Sequence, residues 1–269
     1  MTAEHKPNLA REESQLTEEE RNAKWQAMCD AVTDRMKVFT RPYVCILAGG
    51  TLGEATEIGT GTFIDSCGVE LLTCEHVAQF NPTAIYVDAN GSSKLDPGAW
   101  RSESNPNRDV ALAPVPATKW SDISTSARAL PMSKFAPLHA PVEHEVLFFR
   151  GVAGENAYIS NFGADAILTG YCSQEEIGTG DADIFEIMWE PPNTIVTAGT
   201  SDEVRARVKY DNPAGFSGSL VWNTRFVELG CDLRRWSPNQ AVVTGLLRRF
   251  DSTSKTLLAW RVEHLRGWL

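Results

Sequence analysis

The chain is poor in basic residues, in histidine and in long apolar runs. Lys and Arg number 25 against 35 Asp and Glu, a formal net charge of −10. Nucleic acid and anionic membrane surfaces both require a basic face, so neither is expected as the main partner. No segment approaches the roughly 18 uninterrupted apolar residues of a membrane-spanning helix. The first 22 residues are charged and polar, without the apolar core of about 7–15 residues that a signal peptide carries. A cytoplasmic protein is expected. The six cysteines, at 29, 45, 67, 74, 172 and 231, form no C-x-x-C pair. That disfavours a zinc site or a disulfide framework and leaves free, mostly buried thiols. No internal repeat is present.

What remains is the composition of a globular protein, 42% hydrophobic and 22% charged, with 20 Gly and 14 Pro. A chain of 269 residues can bury one large core or form two small domains of roughly 100 residues each. Residues 1–15 have little to bury and read as disordered. From Thr17 the pattern changes. Thr17 can cap a helix with Glu20 as its reciprocal partner, and Trp25, Met28, Val32 and Met36 recur at spacings of three and four. This predicts an amphipathic helix over 18–38, its stripe packed on the domain that follows or offered to a regulatory partner.

Beyond Arg41-Pro42 the texture is β. Short apolar runs at 44–48, 57–65, 70–73, 84–87 and 109–115 are separated by Gly, Asn, Asp or Pro, with a polar loop over 88–108. A Pro/Ser-containing segment, 116–141, leads to a second set at 145–150, 166–170, 184–189, 205–209, 220–222, 241–250 and 256–261, and a short helix is expected over 262–269. The divisions are therefore 1–40 for tail and helix, 41–130 for a first β domain and 131–269 for a second.

Three segments carry chemistry. In Pro213-Ala214-Gly215-Phe216-Ser217-Gly218-Ser219-Leu220, a serine flanked by glycines allows close backbone approach and a tight turn, as a nucleophilic hydroxyl needs. The plainer reading is a Gly-Ser turn before a strand. A serine requires a base and a group to orient it. His76 follows the apolar run that ends at Thr73, which sets an imidazole at a strand end rather than in a core. The alternative is a structural histidine. The others, His5, His139, His144 and His264, lie in a tail, in Pro-containing linker sequence or in the terminal helix. Asp109 opens an apolar strand in Asn107-Arg108-Asp109-Val110-Ala111-Leu112, where a carboxylate can accept an imidazole N–H, or can simply begin a strand after a loop.

With His76, Asp109 and Ser217 in that order, the chain resembles the trypsin/chymotrypsin-like serine peptidases. The residues that carry the resemblance are Gly59-Thr60-Gly61-Thr62-Phe63-Ile64, Leu72-Thr73-Cys74-Glu75-His76-Val77, Asp109-Val110-Ala111-Leu112 and Gly215-Phe216-Ser217-Gly218-Ser219. The resemblance covers 41–269. It implies two six-stranded antiparallel β-barrels with the site between them, His76 and Asp109 from the first and Ser217 from the second. It implies Ser217 as nucleophile, His76 as general base and acid, Asp109 as orienting acid, and the N–H groups of Gly215 and Ser217 as an oxyanion hole. No metal or cofactor is implied, and the partner is a protein or peptide substrate.

Some positions depart from the family's pattern. Ser219 stands where many members have a second glycine. Phe216 stands where zymogen-activated members have an aspartate that pairs with a newly cut N-terminus, so that switch is absent. Asp211 occupies the position of the primary-pocket floor, which favours Lys or Arg at the cleaved position, unless it is a turn residue in Tyr210-Asp211-Asn212-Pro213. Arg248-Arg249, on a strand expected to line the same pocket, can neutralise Asp211 or recruit an acidic side chain. The expected function is that of a bacterial-type serine endopeptidase performing limited proteolysis, as in a stress or antiviral response. The rivals are a catalytically silent protease-fold module that binds peptides or proteins, and a general esterase. The Ser-Asp-His order and strand-helix alternation of an α/β-hydrolase are absent.

Overall fold

The computed structural model describes residues 16–50, 57–88, 91–103, 108–160, 163–177 and 181–269. The expected disorder of 1–15 falls outside them.

Helix α1 runs over Glu18–Thr40, and both arms of its capping box form. The Thr17 N–H donates to Glu20 Oε2 at 2.8 Å, and the Glu20 N–H donates to Thr17 Oγ1 at 3.2 Å. Its stripe is spent inside the molecule, with Val32 and Met36 fully buried and Trp25 and Met28 packed on the same cluster. The helix lies chiefly against the second β-sheet rather than on the residues that follow it. Trp25 meets Phe226 at a ring distance of 6.4 Å, and Phe39 meets Trp222 at 5.7 Å. Large aromatic rings bury the most apolar area per side chain, and these two stand on β13 of the second sheet and on the turn that follows it.

The first sheet comprises β1 (Val44–Gly49), β2 (Glu57–Asp65), β3 (Val69–Thr73), β4 (Thr83–Asp88), β5 (Gly91–Leu95), β6 (Arg101–Ser102), β7 (Ala111–Pro114) and β8 (Leu130–Pro131). Its order is β5-β4-β1-β2-β3-β7-β6, antiparallel throughout, and β8 joins β2 in parallel. Between these strands lie the one-turn helix α2 (Glu75–Ala78) and α3 (Ala117–Ile123). The second sheet comprises β9 (Leu147–Ser160), β10 (Gly163–Ser173), β11 (Glu175–Glu176), β12 (Ile184–Met188), β13 (Leu220–Asn223), β14 (Val242–Asp251) and β15 (Thr256–Arg261), in the order β10-β9-β13-β14-β15-β12-β11. Apart from the two-residue strands β6, β8 and β11, each sheet has six strands, and together they form the chymotrypsin-like pair of β-layers. The chain closes with helix α5 (Val262–Arg266).

The 205–209 run is not a strand. Its first three residues end helix α4 (Asp202–Arg207), which Ser201 caps by accepting from the Val204 N–H. Asp202 and Glu203 in the first turn and Arg205 and Arg207 in the last favour a helix at both ends, which outweighs the β-prone valines on either side. The 88–108 loop in turn contains β5 and β6. No disulfide joins the six cysteines, of which Cys45 and Cys74 are buried, Cys67 is exposed and the others lie between.

One apolar cluster runs through both sheets and α1, and includes Met36, Phe63, Leu112, Phe148, Trp222 and Trp260. At the seam, Ile46, Ala48, Ile85 and Val152 form a smaller cluster. The two sheets therefore share an interior, and residues on either side of the seam have fixed relative positions.

Candidate active site

Strands β3 and β7 pair with Thr73 opposite Ala111. That register sets His76, three residues beyond one end of the rung, beside Asp109, two residues before the other. Cys74 caps α2, and Val77 on its buried side packs against Gly59, where an added Cβ would come 2.5 Å from Val77 Cγ1. Gly59 thereby lets the helix sit low enough to bring His76 to the acid.

The Asp109 carboxylate receives two hydrogen bonds from the same residue. Its Oδ1 accepts the His76 backbone N–H at 2.9 Å, and its Oδ2 lies 2.6 Å from His76 Nδ1. Burial raises the pKa of Asp109. The His76 hydrogen bonds, the His76 charge and the Arg248 guanidinium outweigh it and hold the group below its ordinary value. An ionised Asp109 can only accept, so Nδ1 is the protonated nitrogen and Nε2 is left with its lone pair. Exposure divides the pair, 13% for the Asp109 side chain against 45% for His76. The acid is inside and the base opens outward.

Ser217 stands in the turn before β13. The Phe216 N–H donates to the Pro213 carbonyl, the Ser219 N–H to Phe216 and the Gly218 N–H to Leu247. Gly218 has φ +90°, and an added Cβ would collide with the Thr60 carbonyl oxygen, so only glycine fits there. Thr60, on β2, holds this turn from the opposite sheet. Its N–H donates to the Ser217 carbonyl at 2.9 Å, its hydroxyl donates to the Gly215 carbonyl at 2.9 Å, and its own carbonyl accepts the Thr73 hydroxyl at 2.8 Å. The Ala214 carbonyl is taken by the Gly154 N–H. The N–H groups of Gly215 and Ser217 have no acceptor among the described residues.

His76, Ser217 and Gly215 line one cavity of about 330 Å³, together with Phe80, Arg249 and Phe250. The Ser217 hydroxyl donates to the Arg248 carbonyl at 2.8 Å, and among the described residues no hydrogen bond joins it to His76. The Arg248 side chain turns elsewhere, with Nε 3.5 Å from Asp109 Oδ2 and the guanidinium 4.9 Å from the Trp260 ring centroid. Of the two residues expected to bind substrate, Arg248 thus contacts the acid and the serine, and Asp211 is exposed and is not among the residues around this cavity. Arg249 does line it.

Cys74 completes a cluster with His76 and Asp109 whose ligand-type atoms lie within 4.8 Å of one another. Burial pushes its thiol well above the ordinary range, and Sγ donates to the Leu247 carbonyl at 3.3 Å. A protonated thiol is a poor metal ligand, and Nδ1 is already engaged by Asp109. The cluster is therefore read as a hydrogen-bonded pair above a structural cysteine.

A second histidine, His139, also pairs with a carboxylate. Nε2 lies 3.2 Å from Glu175 Oε2, Nδ1 lies 2.8 Å from the Thr244 hydroxyl, and the ring stacks on Phe185 at 3.9 Å. Its side chain is 2% exposed. The segment read as linker sequence is core at this position. The roles of Thr60 and Arg248 were not evident in the sequence, although Gly59-Thr60-Gly61 already stood among the motifs.

No protein-family model matches the sequence, and no curated protein matches it. Solved structures do. The Rv3671c protease from M. tuberculosis, in its active form, aligns over 88% of this chain and 84% of its own with a TM-score of 0.51 at 16% identity. The structure named GrC aligns over 85% and 92%, TM-score 0.50, at 13% identity, and HL collagenase over 85% and 91%, TM-score 0.50, at 15% identity. At such identities the likeness concerns architecture, and it agrees with the two-sheet arrangement and its seam. The chain has the fold of the trypsin/chymotrypsin-like serine proteases.

Proposed function

We propose that the protein is a serine endopeptidase that cleaves a protein substrate through an acyl-enzyme. The observation that carries this reading is the His76–Asp109 pair, with its basic nitrogen free, opening into the same cavity as Ser217. On substrate binding the Ser217 hydroxyl turns from the Arg248 carbonyl towards His76 Nε2, since catalytic hydrogen bonds often form only in the substrate complex. His76 takes the hydroxyl proton as Oγ attacks the scissile carbonyl carbon, then returns it to the departing amine. Water repeats the sequence to release the acid. The unpaired N–H groups of Gly215 and Ser217 receive the oxyanion, a contribution of roughly 3–4 kcal/mol for one donor in related chemistry. The His76 hydrogen bonds keep Asp109 ionised, and Arg248 adds to them as a positioning residue.

Phe80 and Phe250, 48% and 36% exposed, give the cleft apolar walls suited to peptide side chains, with Arg249 as its cation. This arrangement favours apolar or acidic side chains over Lys or Arg. Limited proteolysis of a partner protein is the physiological role we assign. The silent binding module is disfavoured because base, acid and nucleophile positions are all filled, by His76, Asp109 and Ser217.

The test is labelling by a fluorophosphonate, read by intact mass, of wild type beside Ser217→Ala. One adduct per wild-type chain, mapped to Ser217 and absent from the variant, is expected. No adduct on folded wild type would remove the peptidase reading in favour of the binding module.

A further inference from the structure

Phe216, the residue before Ser217, is fully buried. Its ring meets Phe149 at 5.3 Å, Tyr171 at 5.3 Å and Trp189 at 6.1 Å. Those three residues also line a second cavity, of about 650 Å³, between α1, the β9–β10 hairpin and the segment 188–210. It shares no wall residue with the cavity that holds His76 and Ser217.

Four buried polar atoms in this wall lack a hydrogen-bond partner, namely Arg150 Nε, Thr169 Oγ1, Tyr171 Oη and Trp189 Nε1. Burial holds the Tyr171 phenol above its ordinary value, with Thr169 opposing the shift in part. Each buried group left unpaired costs about 1–3 kcal/mol, and native proteins carry few of them. Arg150 is the most demanding. Its guanidinium donates to the Lys37 carbonyl, no carboxylate pairs with it among the described residues, and the neighbouring charge is Arg41, also in the wall. Burial first, then Arg41, lowers its pKa to about 10. The nearby anions are already engaged. Asp30 accepts from Gln26 at 2.8 Å, Glu190 from Asn193 at 2.9 Å, and Asp34 from Lys37 at 3.3 Å and from the Gly199 N–H at 2.9 Å.

An enclosed cation without a counter-charge calls for an anion, and the aromatic walls call for a flat apolar body. The volume lies within the range of small-molecule sites, about 300–1,000 Å³. We propose that this cavity is an effector site for a small aromatic anion, its carboxylate or phosphate on Arg150 and its ring among Tyr171 and Trp189, with Phe216 passing occupancy to the Ser217 turn. Filling the cavity fixes Tyr171 and Trp189, and Phe216 is wedged between them and the backbone of the turn. The site stands whether or not Ser217 is a nucleophile.

The test titrates the full chain with an aromatic carboxylate, indole-3-carboxylate, and with an aromatic phosphate, adenosine 5′-monophosphate, reading tryptophan fluorescence and Tm. One of the two is expected to bind below about 1 mM and raise Tm. Arg150→Gln and Tyr171→Phe should each weaken binding by about tenfold or more. Tyr171→Phe removes a single oxygen, so it serves as the folded control should Arg150→Gln destabilise the chain. Amide hydrogen exchange over 213–219 should slow at saturation. Failure of both probes to bind, or equal binding by wild type and Tyr171→Phe, would overturn the site. Binding without a change in exchange over 213–219 would overturn the link to Ser217.

Discussion

Among the described residues four histidines lie against carboxylates, and two of these pairs, at His76 and His139, differ in what each leaves open. His139 has Thr244 on one ring nitrogen, Glu175 on the other, Phe185 on its face and almost no exposure. His76 has Asp109 on Nδ1 alone and 45% of its side chain exposed, and it faces the cavity of Ser217. A histidine whose hydrogen-bonding sites are both filled in a closed core is a strut, since any proton it moves has nowhere to go. One that keeps a nitrogen free at a cleft can serve as a base. Pairing with a carboxylate is common to both and decides nothing.

The largest effect that would sharpen this contrast is the loss of His76. His76→Ala should lower turnover by on the order of 10⁵–10⁶, as for removal of a base in a serine protease, with a modest loss of thermal stability, because the ring is half exposed but Asp109 loses a hydrogen-bond partner. Peptide cleavage and Tm on the same preparation measure both, and turnover within tenfold of wild type would end the base assignment. Asp109→Asn should follow with a loss of about 10⁴ in turnover, because an amide can hold the ring in the wrong tautomer. A peptidase assay with circular dichroism separates this from misfolding.

The reverse pattern is expected on the other side of the comparison. His139→Ala should destabilise the chain by about 2–4 kcal/mol, from the space opened beside Phe185 and the stranded Thr244 and Glu175 groups. Active-site titration should show turnover per folded molecule intact. Should His139→Ala silence the folded enzyme, the strut reading fails. The smallest effect concerns Arg248→Gln. Asp109 is held below its ordinary value partly by Arg248, so its charge contributes stability that is present above the unfolded aspartate value of about 3.9 and is lost as pH falls through the lower folded value. Without Arg248 the folded value rises, and that stability is lost at higher pH. The acid-unfolding midpoint, followed by fluorescence, should move upward, and an unchanged midpoint would mean Arg248 does not act on Asp109.

Much of this contrast was readable from the chain because its signals are local. Thr17 and Glu20 cap a helix within one turn of themselves. The apolar runs at Glu57–Asp65 and Thr256–Arg261 are strands to the residue. The setting that singled out His76, an apolar strand end followed by a turn, is equally local. His139 read as linker because its partners are distant, with Thr244 separated from it by 105 residues. Helix α4 was missed for another reason. Its cap, Ser201 followed by two acids, is local too, but Val204, Ala206 and Val208 alternate with arginines as a half-buried strand would.

By itself the sequence determined which chemical groups are available and in what order, and where short strands and the capped helix begin and end, because caps, turns and apolar periodicity act over a few residues. Only the tertiary structure decided that α1 belongs to the second sheet's core and that Thr60 grips the turn of Ser217 across 157 positions of chain. It alone turned Arg248 from a pocket wall to a partner of Asp109, and gathered Arg150, Tyr171 and Trp189 around one cavity behind Phe216. Charge pairing, exposure and enclosed space depend on which distant segments meet at the seam, and the packing of two sheets on a shared interior settles those meetings.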